Sequence, residues 1–397
     1  MQNRITIVGG GIGGMATALA LARAGQRSLL LERASAFSEV GAGIQLGPNV
    51  VRLLRDWGLM ERLKAVAHFP QVLRARHALS GAVLGEKPLG SDTERRYGAP
   101  YATIARADMH GLLVAGVSQA GSTEMRLGQE VTSVTQDERA VHLQVRHPDA
   151  DHTQMVDTKV LVGADGVWSR VRANVMRSGG PRQTGHLAYR AMVPMDSLPL
   201  NLRPDGVTAW LGPDFHVVQY PVRAGEWLNV VAIVHGDPPG ELSDWDHSAN
   251  ATDLQLMLGQ AHPALRDLIY AIPQWRLWAL CDRPPMRGPE EHGLGRVVLV
   301  GDAAHPMRPY LAQGACMAIE DAHALARHLS DRRHAHVHQA LAAFSKERWP
   351  RNARVQARSI RNGEIYHAKG VVQMARDIAL RVAAPRLMDV PWLYRST

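Results

Sequence analysis

Four short runs, apolar almost throughout, set the frame of this sequence. Ile5–Val8, Ser28–Leu31, 160–162 and 297–300 lack the alternation of a half-exposed strand. They predict strands buried on both faces, as in a parallel sheet covered by helices. Between the first two lies an Ala/Leu-rich stretch, about 13–24, which predicts a helix ended by Gly25. Strand, helix and strand together make a βαβ unit. A different pattern fills 186–236, where 207–211, 215–220 and 227–234 read as antiparallel strands. The last two are joined by a turn at Arg223-Ala224-Gly225-Glu226. After Gly314 the chain turns helical, first over 315–329 and then over the Arg-rich 340–367, with Pro350 near its start. The expected fold class is α/β: a Rossmann-like dinucleotide-binding domain with an inserted antiparallel β-sheet domain and C-terminal helices. The first domain is expected over 1–180, with an excursion toward the second near 70–100. The inserted sheet takes 181–285, the first domain closes over 286–345, and 346–397 is the helical end.

A chain of 397 residues, 46% of them hydrophobic, is long enough to bury two such cores. No apolar run approaches the roughly 20 residues that cross a bilayer, and a strand starting at Ile5 leaves no room for a secretory leader. Cys281 and Cys316 are the only cysteines, so there is neither a disulfide framework nor a CxxC metal clip. The reading is a cytoplasmic chain with no membrane partner. The net charge of +8 is scattered, with no Lys/Arg block interleaved with aromatics. That argues against nucleic acid and for a basic enzyme that attracts anionic substrates and a polyphosphate cofactor. His334, His336 and His338 lie beside Asp331-Arg332-Arg333 without cysteine or patterned carboxylate, and read as an exposed loop rather than a metal site. The basic segment 340–367 reads as a solvated face or a homodimer contact rather than a membrane-surface helix.

Gly9, Gly11 and Gly14 fill a G-x-G-x-x-G pattern placed between the first strand and its helix. Gly9 makes the tight turn, Gly11 admits a pyrophosphate, and Gly14 lets helix and strand pack closely. The helix start offers free N–H groups and a positive dipole end to the phosphates. Glu32, at the end of the second strand, suits the two hydroxyls of an adenosine ribose and disfavours a 2′-phosphate, so the site suits FAD or NAD. Two further aspartates, Asp165 and Asp302, fall just beyond apolar strands, at the carboxyl edge where such sheets bind ligands.

Taken together, Gly9-x-Gly11-x-x-Gly14 with Glu32, Asp165-Gly166-x-x-Ser169-x-x-Arg172, and Gly301-Asp302 with Gly314 resemble the single-component (group A) FAD-dependent aromatic hydroxylases over nearly the whole chain. The resemblance implies non-covalent FAD, with NADH or NADPH and O2 as co-substrates. It implies that Asp302 holds the ribitol chain, that Asp165 serves both FAD and NAD(P)H, and that Arg106 contacts FAD. The backbone at Gly314 and Ala315 would lie by the flavin N1/O2 edge, where a helix start favours negative charge. Gly13, Arg33 and Val131 complete the candidate cofactor residues. A second glycine-rich fingerprint is absent, which fits a family in which the nicotinamide cofactor binds without its own domain.

On the inserted sheet, His216, Val218 and Tyr220 share a face by the two-residue period of a strand. From the residues alone, His216 is either a core histidine or a catalytic one. The stretch from Trp210 to Pro221 is similar to the segment of 3-hydroxybenzoate 6-hydroxylases and 6-hydroxynicotinate 3-monooxygenases that carries a catalytic histidine and a pocket tyrosine. The stretches Gly41-Ala42-Gly43-Ile44-Gln45-Leu46-Gly47-Pro48-Asn49 and Ala188-Tyr189-Arg190-Ala191 favour the former, as do Ile365-Tyr366-His367-Ala368 and Trp392-Leu393-Tyr394. The implied catalytic residues are His216 and Tyr220. Gln45, Tyr189, Pro309, Tyr310 and Gln313 are substrate-side candidates, and Cys316 reads as packing. Pro309 departs from the glutamine of 3-hydroxybenzoate 6-hydroxylases, and Tyr310 stands where the hydroxynicotinate enzymes have histidine. The Pro-Tyr pair occurs in salicylate hydroxylases. The implied reaction is ring hydroxylation of a phenolic carboxylate through a flavin C4a-hydroperoxide, with 3-hydroxybenzoate to gentisate first. Salicylate 1-hydroxylation and 6-hydroxynicotinate 3-hydroxylation are the alternatives. An FAD oxidase or dehydrogenase without oxygen insertion, and a non-enzymatic flavin-binding protein, are the rival classes.

Overall fold

The computed structural model describes residues 5–37, 42–147, 153–238, 240, 247–249 and 251–395. Gly41, quoted above, lies outside them. The chain divides into two compact units, each assembled from three separate segments. The first takes Met1–Glu39, Met109–Arg182 and Cys281–Ser359, and the second takes Val40–Asp108, Gln183–Leu280 and Ile360–Thr397.

The first unit holds a six-stranded sheet in the order Gly293–Leu294, Val297–Leu299, Val160–Gly163, Ile5–Val8, Ser28–Leu31, Thr123–Arg126. Its pairs are parallel except the first, which is antiparallel. The central strands are buried at every position, which is why their sequences are apolar without alternation. Full burial of a Leu such as Leu29 or Leu30 is worth roughly 1.5–3 kcal/mol. The helix Ile12–Arg23 is buried along most of its length and packs on the helix Gly314–Ser330. A three-stranded antiparallel sheet, Glu130–Gln136, Val141–Arg146 and Thr153–Thr158, adds its apolar side to the same core.

The second unit is built on an eight-stranded sheet, in the order His247–Ala249, Trp275–Asp282, Arg182–Pro194, Trp227–His235, Phe215–Val222, Val207–Gly212, Val72–His77, Val83–Pro88. The strands expected at 207–211, 215–220 and 227–234 are present and slightly longer. The sheet is not purely antiparallel. Val207–Gly212 pairs in parallel with Val72–His77, because that strand arrives from an earlier segment of the chain and not through a hairpin. One face packs on the helices Ala251–Leu258 and Pro263–Tyr270 through Leu187, Val217, Val230, Leu254, Leu265 and Ile269. Pro350 sits inside the long helix Val337–Tyr366 and not near its start, and His338 belongs to that helix's first turn. The next helix, Gly370–Leu387, lies on the strand Val83–Pro88. Among the described residues no helix is long and apolar enough to cross a membrane.

Candidate active site

In the first unit the glycine-rich turn is built as the sequence requires. Gly9 has φ +104°, and any Cβ there would run into the Ala164 carbonyl. A Cβ on Gly14 would overlap the Gly9 carbonyl, so only glycine lets the helix start this close to the strand. Gly11 is different: nothing lies within 4 Å of where its Cβ would be. That open space is where a ligand can approach backbone N–H groups at the start of the helix. Glu32 is held in place by its own loop, its Oε2 accepting from the Gly10 N–H at 2.5 Å and Oε1 from the Ala34 N–H at 2.8 Å. The buried His110 braces the turn from outside, its Nε2 2.6 Å from the Gly10 carbonyl, and was not singled out by the sequence.

A cleft of about 230 Å³ opens beside this turn, and Gly9, Gly11, Glu32, Arg33, Val131 and Asp165 all line it. Gln129, Trp168 and Arg170 line it too, and no motif pointed to them. Asp165 also makes bonds within the protein. Its carboxylate holds the following helix, Oδ1 accepting from the Ser169 hydroxyl at 2.5 Å and Oδ2 from the Val171 N–H at 3.0 Å. Burial raises its pKa against these bonds. Ser169 caps the same helix by accepting from the Arg172 N–H at 2.9 Å. The Arg172 guanidinium then donates to the carbonyls of Ala304 at 2.9 Å and Glu291 at 3.2 Å. The second motif is thus a brace that fixes the third.

At the third motif, Gly314 opens its helix close to the Asp302 carboxylate, 3.9 Å from where a Gly314 Cβ would stand. Gly13 faces Ala318 of that helix, and Ala315 follows in its first turn. The turn 301–305 is pinned from behind by Asp321, whose Oδ2 accepts from the Gly301 N–H at 3.2 Å and lies 2.6 Å from His305 Nε2. Arg348 Nε donates to Asp321 Oδ1 at 2.8 Å, and Asn352 to the same oxygen at 3.0 Å. His292, His305 and Asp321 have the ligand spacing of a metal site and are fully buried, with Asp321 already held by Arg348, Asn352 and His305, and His292 Nε2 3.0 Å from the Asn352 amide. They form a structural network. Pro309 and Tyr310 make a single helical turn in which Tyr310 is buried, and burial pushes its hydroxyl above the ordinary phenol range. Ala312 follows in the left-handed region at φ +52°, and Gln313 is buried at the start of the helix.

In the second unit the strand register decides which side chains meet. His216 lies opposite Ile233, Tyr220 opposite Asn229, and His186 opposite His235. Directly opposed residues share a face, so His216, Val218, Tyr220, Asn229, His235, His186 and Arg190 all project from one side. Gln45 is brought to Tyr220, whose hydroxyl it bonds, and also accepts from the Tyr101 hydroxyl at 2.7 Å. Gly43 packs on Tyr220 and donates its N–H to Asn229 Oδ1 at 2.6 Å. Arg106 follows the partner strand Ala102–Ala105, its N–H donating to the Ala42 carbonyl at 2.7 Å. Tyr189 does not join them. It belongs to the opposite face, buried among the core residues with its hydroxyl 3.5 Å from the Met257 sulfur, because its neighbour Arg190 takes the near face. Arg190, not Tyr189, is the residue of that stretch on the side of His216. It lies over the Trp278 ring at 4.0 Å, and its charge favours ionisation of Tyr220, although burial holds that phenol well above its ordinary range. Burial also drives His216 down to about 3, with His186 adding to the effect, so its imidazole is neutral.

A family model described as an FAD binding domain matches residues 2–359. The chain belongs to this FAD-binding family. Among curated members, the 3-hydroxybenzoate 6-hydroxylase of Polaromonas naphthalenivorans is 36% identical over 392 residues, 98% of this chain and 95% of that one. The 3-amino-4-hydroxybenzoate 2-monooxygenase of Streptomyces cremeus is 36% identical, covering 99% of this chain and 95% of its own. A solved salicylate hydroxylase with its substrate superposes with a TM-score of 0.81 at 25% identity, over 99% of this chain and 95% of that structure. The protein is an FAD-dependent monooxygenase of α/β class with a Rossmann-like FAD domain. The residues present fit the cofactor: open space at Gly11, a carboxylate ready for ribose hydroxyls at Glu32, and a cleft between them.

Proposed function

We propose that this monooxygenase hydroxylates the ring of a small phenolic carboxylate, with 3-hydroxybenzoate to gentisate the first candidate, using NAD(P)H and O2. FAD, when bound, supplies the electron transfer from the nicotinamide and the activation of oxygen. Glu32 and the Gly11 turn would hold its adenosine and pyrophosphate, and Asp302 its ribitol. The observation that carries the substrate class is one face of one sheet bearing a neutral buried imidazole, a phenol and a guanidinium: His216, Tyr220 and Arg190. A neutral imidazole can take the proton of a bound phenol, which loads the ring with electron density. Tyr220, positioned through Gln45 and Tyr101, supplies a hydrogen bond to orient the ring. Arg190 is the carboxylate's partner on that face. Gln313, Pro309 and Tyr310 remain substrate-side candidates from the first unit.

A second reading, salicylate 1-hydroxylation, is supported by the Pro309–Tyr310 pair, and 6-hydroxynicotinate is retained as a third substrate to try. A cytoplasmic setting belongs to the same proposal. So does a homodimer, sought by light scattering, with the exposed Val371, Met374, Ile378 and Val382 of one helix as the surface to substitute. The deciding experiment follows NADH and NADPH oxidation by the purified holoenzyme with 3-hydroxybenzoate, salicylate and 6-hydroxynicotinate, and identifies the aromatic product. Stimulation with gentisate formed supports the first reading, and catechol from salicylate supports the second. Oxidation of the nicotinamide with only H2O2 formed by every candidate would defeat the proposal.

A further inference from the structure

The sheet face that carries His216 carries two more histidines, His235 and His186, and a fourth comes from elsewhere in the unit. His367 follows the end of the long helix Val337–Tyr366 and is seated on this face by its backbone, its carbonyl accepting from the Asp214 N–H at 3.2 Å and its own N–H donating to the Gly363 carbonyl at 3.0 Å. Arg376 holds the preceding turn, donating to the Tyr366 carbonyl at 2.8 Å and the Ile365 carbonyl at 3.1 Å. The result is a line of imidazoles in direct contact. His216 Nδ1 lies 2.7 Å from His367 Nε2, and His367 Nδ1 lies 2.9 Å from His235 Nε2. His216 and His367 are buried, while His235 is exposed at the strand's end.

We infer that His216, His367 and His235 form a proton relay between the substrate phenol and solvent. This rests on the proposed hydroxylation and assigns roles to His367 and His235. With all three rings neutral and protonated on Nδ1, both contacts are matched donor to acceptor in one direction. The phenol O–H passes its proton to His216 Nε2, and His216 Nδ1–H passes its own to His367 Nε2. His367 Nδ1–H then gives to His235 Nε2, and His235 Nδ1–H to water. The phenol becomes phenolate, one proton reaches solvent, and every ring ends neutral on Nε2–H. In that state the contacts are matched in the opposite direction. The chain then returns one proton to the product oxygen and is reset for the next turnover.

Two observations favour transfer over storage. Burial holds His216 far below the usual imidazole range, so it cannot keep a proton and must pass one on. The side chains seen against the line include another imidazole and a phenol, neither of which carries a negative charge. His186 is 4.3 Å from His235 and 5.2 Å from His367, ring to ring, and Tyr366 meets His216 edge-on at 5.3 Å. Asp214 is engaged by Lys369 at the surface. His186, His235 and His367 have the ligand spacing of a three-imidazole metal site, but both nitrogens of His367 are already within hydrogen-bond distance of other rings.

The test measures proton release with a pH indicator in stopped flow when substrate binds the oxidised holoenzyme, alongside the absorbance of the bound phenolate. His367→Leu slows both by about tenfold or more, while substrate affinity and flavin absorbance stay within about twofold. In His367→Gly, added imidazole restores the rate. His235→Leu, at an exposed position that tolerates substitution, slows proton release by a few-fold. Wild-type rates in both Leu variants would overturn the relay. So would loss of activity on chelation with recovery on Zn2+, which would make the cluster a metal centre. If the wild-type enzyme hydroxylates no phenolic carboxylate, the functional proposal fails instead, which its product analysis shows separately.

Discussion

Glycines 11 and 14 separate two demands that a motif alone runs together. Ala at Gly14 would overlap the Gly9 carbonyl, whereas Ala at Gly11 meets nothing in the protein itself. Gly11→Ala should therefore keep a near wild-type melting temperature yet lose FAD affinity by about tenfold or more, read by flavin fluorescence titration of the apoprotein. Gly14→Ala should fail to accumulate as folded protein. The two tyrosines form a similar pair. Tyr220→Phe should raise KM for the aromatic acid several-fold, and Tyr189→Phe should leave it unchanged, because Tyr189 stands behind the sheet. Steady-state kinetics with the preferred acid decide both. The glycine turn and Glu32 were legible because a local motif fixes them. Tyr189 was misplaced because the parity of its strand depends on the register against Trp227–His235, which no local pattern states. Arg190 and His367 went unassigned for the same reason. Their neighbours come from strands and turns distant in sequence.

At the level of elements, four strands of the parallel sheet and three of the inserted sheet were readable from unbroken apolar runs or period-two alternation. The parallel pairing of Val207–Gly212 with Val72–His77 was not, since the connection is long and carries no turn signature. Also unreadable was the ionic joint between the helices Gly314–Ser330 and Val337–Tyr366. There Arg348 and Arg351 meet Glu320 and Asp321, largely out of water. Removing one partner leaves an uncompensated buried charge, so Asp321→Asn should cost about 3–5 kcal/mol by chemical denaturation. The capping bond of Ser169 is a milder case, and Ser169→Ala should cost about 1 kcal/mol. Two buried histidines give the fold an acid limit. Burial lowers His216 to about 3 and His292 to about 4, against an ordinary 6.5. The unfolded chain therefore binds more protons than the native one below about pH 6.5. Stability is full above that pH and is lost as the pH falls toward 4, by up to about 1.4 kcal/mol per pH unit for each ring. Thermal melts from pH 7.5 to 4.5 should show this slope, and His292→Gln should flatten it.

Across the whole molecule, the net charge of +8 acts on the encounter with anions. The aromatic acid and the nicotinamide are both negative, so both KM values should rise as salt is increased from about 20 to 300 mM, as the screening length shortens. Unchanged KM values would mean that the charges lie too far from the approach path to matter. The interleaving of the two units, three segments each, has a consequence in time rather than in energy. The strand Val83–Pro88 is made about 280 residues before the helix that covers it, Gly370–Leu387. At roughly 5–20 residues per second, that edge waits for tens of seconds with its cover still unmade. A newly made chain is therefore most exposed to aggregation before that helix leaves the ribosome, and chaperone demand should fall on residues 72–88 while the segments between are being translated.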